Sequence, residues 1–214
     1  CDTTLWQLGL QWEREDDLVY RMNAYVMQLA DGRFIVHDTG TRAASKYIYN
    51  YLRENTPEGE KIKIAAVIIT HPHTDHMYGL LEMEKLYTKD DLEIEAAYFN
   101  FGAKSMQSNY TPARLTELWR DCEKAAKAFG AEVYVARTGM KIEIADAVIE
   151  FLWTVDDYGT TIIEEYNDAS AVSRITVNDQ KILFLGDHTE DPSLITMSMY
   201  KEDLKSDMVT VAHH

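Results

Sequence analysis

Long apolar runs are missing from this sequence of 214 residues. The longest, Ile64–Ile69, is far shorter than the roughly 18 residues that suggest a membrane-spanning helix. Proline, with 4 residues, and glycine, with 10, are too scarce for a fibrous or low-complexity chain. Extensive disorder is excluded because 11% of the residues are aromatic and supply core material. With membrane-spanning, fibrous and disordered chains excluded, we expect a globular protein without a membrane span. The length predicts one domain over residues 1–214.

Cysteine is also scarce, since Cys1 and Cys122 are the only two, and this excludes a disulfide framework. Cys122 lies in a helical pattern and is expected to be a small buried residue. No initiator methionine precedes Cys1, which fits either a lipoprotein cut at a lipid-bearing cysteine or a fragment of a longer chain. Strand-like sequence begins within a few residues, at Leu5–Trp12, without a polar tether. We therefore favour the fragment, and a cytoplasmic location over a lipoprotein by a small margin.

Basic side chains are outnumbered, with 21 Lys and Arg against 36 Asp and Glu, so the formal charge is -15. A surface of this sign repels phosphate backbones over a Debye length. Nucleic-acid binding depends largely on cationic side chains, and the sequence contains no cluster of them. A nucleic-acid partner is therefore disfavoured, and a small-molecule substrate is expected instead.

Hydrophobic periodicity predicts a mixed α/β protein with helices between groups of strands. Asp31-Gly32 and Asn178-Asp179 are the expected turns of two hairpins. The predicted helices are Arg42–Glu54, His76–Tyr87, Pro112–Phe129 and Asp191–Tyr200. The main predicted strands outside the hairpins are Lys61–Thr70, Leu92–Phe99, Glu132–Ala136, Lys141–Ile144, Ala147–Thr154 and Asp207–Ala212.

The strongest functional signal follows the apolar strand directly, in the segment Thr70-His71-Pro72-His73-Thr74-Asp75-His76. Pro72 biases His71 toward an extended backbone, in which residues i and i+2 point the same way, so His71 and His73 can hold one ion. Asp75 and His76 enter the start of a helix and suit a second ion. Imidazole and carboxylate ligands favour Zn²⁺, with Mn²⁺ or Fe as substitutes. The alternative, a set of polar loop histidines, requires this clustering to be a coincidence.

Three other segments place polar residues at strand ends. Gly186-Asp187 follows an apolar strand, where a carboxylate can bridge two ions, although Gly-Asp alone is more often a turn. Asp38-Thr39-Gly40 repeats the pattern of strand, acid and glycine. His213-His214 follows the last strand, and the alternatives there are a purification tag or a frayed end.

Together these segments resemble the motifs of the metallo-β-lactamase superfamily. That family has, in order, a strand followed by Asp-x-Gly, then His-x-His-x-Asp-His, a lone His, Gly-Asp, and a strand ending in His. The closest similarity is to the hydrolase domain of competence-type DNA-uptake proteins, in which Asn-x-x-Ser precedes the Gly-Asp strand. Asn167-Asp168-Ala169-Ser170 matches that pattern here. Because those relatives continue past the final histidines, the resemblance indicates truncation at the C-terminus.

The resemblance implies a four-layer αββα sandwich and a binuclear metallohydrolase with two zinc ions. His71 and His73 would hold the first ion, Asp187 would bridge, and Asp75, His76 and either His213 or His214 would hold the second. A metal-bound hydroxide would attack an ester or phosphodiester, with Asp75 orienting it or accepting its proton. Asp38 would hydrogen-bond to a ligand histidine instead of binding metal.

One motif of that family is missing, because no histidine occurs between Met77 and Asp187. Counting back from Ser170, its position falls at Tyr166 or Asn167, and an amide is a poorer zinc ligand than imidazole. Two other functions stay open. One is a nuclease acting on single-stranded DNA, against which the charge counts. The other is a non-catalytic metal-binding domain, which the missing histidine favours.

Overall fold

Two β-sheets lie at the centre of the computed structural model, which describes residues 3–8, 23–102, 112–155 and 165–213. In these residues the first sheet contains, in spatial order, β1 (Thr4–Gln7), β2 (Tyr25–Gln28), β3 (Phe34–His37), β4 (Ile62–Ile69), β5 (Leu92–Phe99) and β6 (Glu132–Val135). β1 to β3 pair antiparallel, and β3 to β6 pair parallel.

The second sheet contains β7 (Lys141–Ile144), β8 (Ala147–Trp153), β9 (Val172–Val177), β10 (Gln180–Phe184) and β11 (Met208–Val209). Its spatial order is β11-β10-β9-β8-β7. The pairs are antiparallel except β10 with β11, which run parallel.

Helices cover the outer faces of both sheets. α1 (Ala44–Glu54), α2 (Thr74–Leu86) and α3 (Pro112–Ala128) lie on the first sheet, and α4 (Glu190–Tyr200) lies on the second. Side chains such as Ile68, Phe151 and Ile175 form a core between the sheets, and a larger core lies between the sheets and the helices. This order of layers confirms the predicted four-layer sandwich.

Strand β4 divides its side chains between the two cores. Val67 and Ile69 face the helices, whereas Ala66 and Ile68 face the second sheet. This double burial explains why the strand is apolar throughout, as central parallel strands usually are. Beyond the end of β3, the Asp38 N–H donates to Ile68 O at 2.8 Å. The residues that follow β3 and β4 therefore emerge side by side at one edge of the sheet.

Both predicted hairpins are confirmed. Gly32 has φ +88° in the turn between β2 and β3. Asn178 and Asp179 have φ +49° and +67° in the turn between β9 and β10. Two consecutive positive φ values match the right-handed twist of the flanking strands.

The last predicted strand is wrong in its extent. Asp207–Ala212 was expected, but the strand contains only Met208–Val209. The Thr210 N–H still donates to Leu183 O at 2.9 Å. The Leu185 N–H, however, donates to the side-chain Oγ1 of Thr210 at 3.0 Å, so a side chain takes a hydrogen bond that a backbone carbonyl would accept in a longer strand.

Candidate metal centre

The ends of three strands meet at the edge between the two sheets. Asp38 follows β3, Thr70 and His71 follow β4, and Asp187 lies in the turn after β10. The Ala171 N–H donates to Thr70 O at 3.0 Å and joins the two sheets at this point. Segments that are distant in sequence therefore contribute side chains to one small volume.

Two imidazoles and one carboxylate at this edge form a group that could hold a metal ion. One ligand atom each from His71, His73 and Asp187 lies within 4.8 Å of the others. Nε2 of His71 is 2.9 Å from Nδ1 of His73 and 3.9 Å from Oδ2 of Asp187. Two zinc bonds of ordinary length at a tetrahedral angle separate their ligand atoms by about 3.3 Å. Two imidazoles and a carboxylate at these distances fit a divalent transition-metal ion.

The two oxygens of Asp187 face different imidazoles. Oδ2 faces His71, and Oδ1 lies 3.2 Å from Nε2 of His76. The rings of His71 and His76 are themselves adjacent, with centroids 4.0 Å apart. His76 thus lies next to the three-residue group, on the other side of the same carboxylate.

Asp38 holds His76 and the end of β4 in position through hydrogen bonds. Its Oδ2 lies 2.8 Å from Nδ1 of His76, and its Oδ1 accepts the Thr70 backbone N–H at 2.8 Å. The Thr70 hydroxyl donates to Oδ2 of Asp38 at 2.9 Å. Asp38 has φ +56°, a conformation that non-glycine residues adopt rarely. The carboxylate therefore fixes the β4 end and the start of α2 together.

These contacts favour one tautomer of His71. Because Asp38 accepts the single proton of the Thr70 hydroxyl, the 3.0 Å contact between that hydroxyl and Nδ1 of His71 favours a ring N–H at Nδ1. In that tautomer the lone pair of the neutral ring is on Nε2, which faces His73 and Asp187. A hydrogen-bonded N–H opposite the ligand atom is the usual arrangement of metal-binding histidines.

Charge is concentrated around His76. Burial opposes the charged ring, but the carboxylates of Asp38 and Asp187 outweigh it and raise the pKa of His76. Two buried carboxylates therefore draw a positive charge into this position, which a proton or a metal ion can supply.

Ser170 connects the sheets behind His71. Its buried hydroxyl accepts the Asp187 N–H at 3.1 Å and lies 3.1 Å from Nδ1 of His71. Gly186 precedes Asp187 with φ +55°, and a Cβ there would lie 3.0 Å from Cβ of Thr70. A side chain at position 186 would therefore push against Thr70 and Ser170, the two residues that contact Nδ1 of His71.

Helix α2 is held against the segment that follows Asp38. The Thr39 N–H donates to His76 O at 2.6 Å, and the Gly79 N–H donates to Gly40 O at 2.9 Å. The hydroxyl of Thr39 also donates to His76 O at 2.9 Å. The first turn of the helix, which carries Asp75 and His76, is thereby fixed relative to β3.

Two further predicted residues lie beside His73. Burial lowers the pKa of His73, while the charge of Asp75 and a side-chain hydrogen bond with Asn167 act in the opposite direction. Asp75 is half-buried in the first turn of α2, and Asn167 is buried in a 3₁₀ turn, Tyr166–Ala169. Both residues are therefore close enough to influence the ring electrostatically.

The C-terminal histidines are less defined. The His213 N–H donates to Gly186 O at 3.2 Å, so the backbone returns to the candidate centre, but the residue is exposed and is not part of the three-residue group. His214 lies outside the described residues. Its predicted role, like that of His213, stays a prediction.

Sequence reasoning assigned no role to Thr70, Ser170 or Tyr25. Tyr25 is buried, and this burial, with the charges of Asp38 and Asp187, raises the pKa of its hydroxyl. A cavity of about 260 Å³ opens beside it, lined in part by Asn23 and Thr210. Thr70 could have been recognised as a site residue because its hydroxyl lies at the end of a strand. Nothing in the sequence indicated a role for Tyr25.

Comparison with known proteins identifies the family. The family model described as the metallo-beta-lactamase superfamily matches residues 19–199. The chain belongs to the metallo-β-lactamase superfamily. Its two sheets, its helices and the group His71, His73 and Asp187 fit this superfamily of generally hydrolytic metalloenzymes. No curated protein matches the sequence.

Solved structures share the metallo-β-lactamase fold at low sequence identity. The fold protein YhfI from Bacillus subtilis is 12% identical with a TM-score of 0.58, and the match covers 98% of this chain and 70% of that one. CmlA, a diiron β-hydroxylase from Streptomyces venezuelae, is 16% identical with a TM-score of 0.52, covering 87% and 32%. Zn²⁺-bound PqqB from Methylobacterium extorquens is 13% identical with a TM-score of 0.53, covering 81% and 56%.

This chain therefore spans about a third of CmlA and just over half of PqqB. None of the matches described concerns a competence-type DNA-uptake protein, so that closer resemblance stays a prediction. In the described part of the chain, every helix is too short or too polar to cross a bilayer.

Proposed function

We propose that this protein is a binuclear metallohydrolase that acts on an ester or phosphodiester substrate. The observation that carries the proposal is the close grouping of His71, His73 and Asp187 at the edge between the sheets. Zinc is our first choice of metal because imidazole and carboxylate ligands suit it. Among solved structures of the same fold, PqqB is described as Zn²⁺-bound and CmlA as a diiron β-hydroxylase. The same ligand types accept both metals, so iron is the second choice.

In this proposal His71 and His73 hold the first ion, while Asp75, His76 and a C-terminal histidine hold the second. Asp187 is shared, which its two oxygens facing His71 and His76 support. Bound divalent ions would lower the pKa of a water molecule and polarise the ester oxygen of the substrate.

The remaining chemistry belongs to side chains of the protein. Asp38 keeps His76 oriented directly and His71 oriented through Thr70. The half-buried carboxylate of Asp75, beside His73, orients the nucleophilic water or accepts its proton.

The test combines metal analysis with turnover. Protein purified without added metal and then titrated with Zn²⁺, Mn²⁺ or Fe²⁺ should bind up to two ions and should hydrolyse a chromogenic ester or phosphodiester. Asp187→Asn should abolish this activity, whereas Asp90→Asn, in an exposed turn, should retain it. Uptake of no metal, or equal activity of both variants, would contradict the proposal.

A non-catalytic metal-binding domain is the second candidate, and Asn167 favours it. The family places a histidine near this position, and an amide beside His73 leaves the first ion with fewer strong ligands. Metal uptake without turnover of any ester in a broad panel would support this candidate. The nuclease alternative has no support beyond the resemblance, and the charge of -15 opposes it.

A further inference from the structure

A group of aromatic and basic side chains lies beside the candidate metal centre, where α2 meets α3. The ring of Tyr166 packs edge-on against His73, with centroids 5.2 Å apart. Tyr78 lies on α2 one turn after Asp75, and its hydroxyl is 3.4 Å from Nη2 of Arg114 on α3. We call Tyr78, Arg114 and Tyr166 the arginine rim. Arg114 lies close enough to Tyr166 for the two side chains to interact electrostatically, and Tyr166 in turn contacts the proposed ligand His73.

The tyrosine that holds Arg114 is itself held in place. The guanidinium of Arg42 lies over the ring of Tyr78, 4.6 Å from its centroid, and is bound to Glu82 at 3.1 Å. Because one arginine fixes the ring, its hydroxyl is a stable acceptor for the other. The guanidinium of Arg114 is thus partly oriented before any ligand arrives, which lowers the entropic cost of binding.

Helix α3 gains little from a cation at this position. Arg114 lies in the first helical turn, which contains no acidic residue, and a positive charge near a helix N-terminus is unfavourable by several tenths of a kcal/mol to about 1 kcal/mol. Its salt bridge with Glu117, at 2.7 Å, joins two exposed side chains, and such pairs contribute about 0–1 kcal/mol. An arriving anion can therefore compete for the guanidinium.

We propose that Arg114 recognises an anionic group on the substrate of the candidate metal centre. This inference rests on the proposed function and narrows the substrate to esters that carry a carboxylate or phosphate. A planar guanidinium with five donors binds such oxyanions through two parallel hydrogen bonds. The side chain is 44% exposed, so the substrate can reach it. In a chain with a charge of -15, a local cation also offsets the repulsion of an anionic substrate.

Binding is tested with phenylphosphonate, which cannot be hydrolysed at an ester bond. Isothermal titration of the zinc-loaded protein should show that Arg114→Gln weakens binding at least about tenfold, the range for hydrogen bonds to charged groups. Arg114→Lys should bind phenylphosphonate with intermediate affinity, because lysine keeps the charge and loses the paired donors. The control is Arg120→Gln, exposed on the same helix, which should bind within twofold of wild type. Equal affinity of wild type and Arg114→Gln would overturn the inference.

Kinetics separates recognition from a structural role. With bis(p-nitrophenyl) phosphate and p-nitrophenyl acetate as substrates, Arg114→Gln should raise KM for the anionic ester at least about tenfold more than KM for the neutral ester. An equal effect on both esters would mean that Arg114 only ties α3 to α2, and the inference would be wrong. If wild type hydrolyses neither ester, the proposed function fails, and the phosphonate titration still decides whether Arg114 binds anions.

Discussion

Two carboxylates approach the imidazole of His76 from opposite sides. Asp38 lies 2.8 Å from Nδ1, and Asp187 lies 3.2 Å from Nε2. The two acids have different surroundings, because Asp38 accepts hydrogen bonds from Thr70 whereas Asp187 faces His71 with its second oxygen. At the scale of single residues, this difference gives the two acids different roles. Asp38 orients a ligand, whereas we propose that Asp187 is shared between the two ions.

We expect Asp187→Asn to weaken zinc binding more than the loss of any single histidine ligand. The amide presents one poor ligand atom where the carboxylate offers two, and it removes the negative charge that both ions need. Competition with a chelator of known affinity should show a loss of more than about 100-fold, beyond the range for outer residues. If His71→Gln lost zinc while Asp187→Asn retained it, the shared role would be wrong.

Asn167→His should tighten the binding of the first ion at least about tenfold, because it adds an imidazole beside His73. Stepwise chelator titration measures this as a later release of the weaker ion. Asn50→His, on the exposed surface of α1, controls for an imidazole added elsewhere. An unchanged titration would show that Asn167 serves only its own turn.

His37 should make the metal-free protein less stable in mild acid. Burial lowers the pKa of His37 to about 4, although Asp38 opposes this shift and His76 adds to it. Between pH 6.5 and 4 the unfolded chain therefore binds a proton that the folded chain does not, so stability is lost as the pH falls. The difference from an unperturbed histidine at pH 5 is about 2 kcal/mol.

The matched variant is His37→Phe, which can still stack on Phe184, where the present ring lies 4.3 Å away. Urea unfolding with EDTA at pH 7 and pH 5 should show a smaller loss of stability for the variant. Parallel losses in both proteins would mean that His37 does not titrate as its burial implies.

Among the elements, α2 matters most because its first turn carries Asp75 and His76. The helix approaches the segment after β3 so closely that a Cβ at Gly79 would lie 1.8 Å from Thr39 O. Real structures do not tolerate this distance, so any side chain at position 79 must push the helix and the strand end apart. Glycine here is a requirement of packing between backbones.

Gly79→Ala should therefore lower the free energy of unfolding by about 2 kcal/mol or more and weaken zinc binding as well. The second effect follows because the Thr39 contacts position His76. Gly59→Ala is the control, since Gly59 has φ +81° but open space around it. The free energy of unfolding of that variant should fall by only about 1 kcal/mol, and its zinc affinity should be unchanged. Equal zinc affinity in both variants would disprove the coupling between helix position and metal binding.

Across the whole molecule, the sequence predicted local features better than long-range ones. Strand β5 was predicted with its observed ends, Leu92–Phe99, because alternating and then continuous apolar residues mark it unambiguously. The hairpin turns were predictable because Asp31-Gly32 and Asn178-Asp179 suit positive φ. The short extent of β11 was not predictable, because it depends on how Thr210 meets the Leu185 N–H across the sheet.

The residues of the candidate site also fall into two groups, those that a local pattern predicts and those that long-range contacts position. The spacing of His71, His73, Asp75 and His76 is a local pattern. The structure groups His71 and His73 with Asp187 and places His76 beside that carboxylate. Ser170 and Arg114 take their positions from contacts with residues far away in sequence, and no local pattern records such contacts. What the family resemblance added was the expectation that Asp38 hydrogen-bonds to a ligand histidine. The bridging role of Asp187 was already suggested by its position after an apolar strand.

The meeting of three strand ends also has a kinetic consequence. His71 and His73 follow a strand of the first sheet and Asp187 follows a strand of the second, so the ligand group is complete only when both sheets have formed and docked. Contacts between such distant segments raise the contact order and slow folding. An ion that requires the whole group cannot assist the early steps, and it adds stability only by binding the finished native state. Zinc is therefore expected to slow unfolding while leaving the rate of folding almost unchanged.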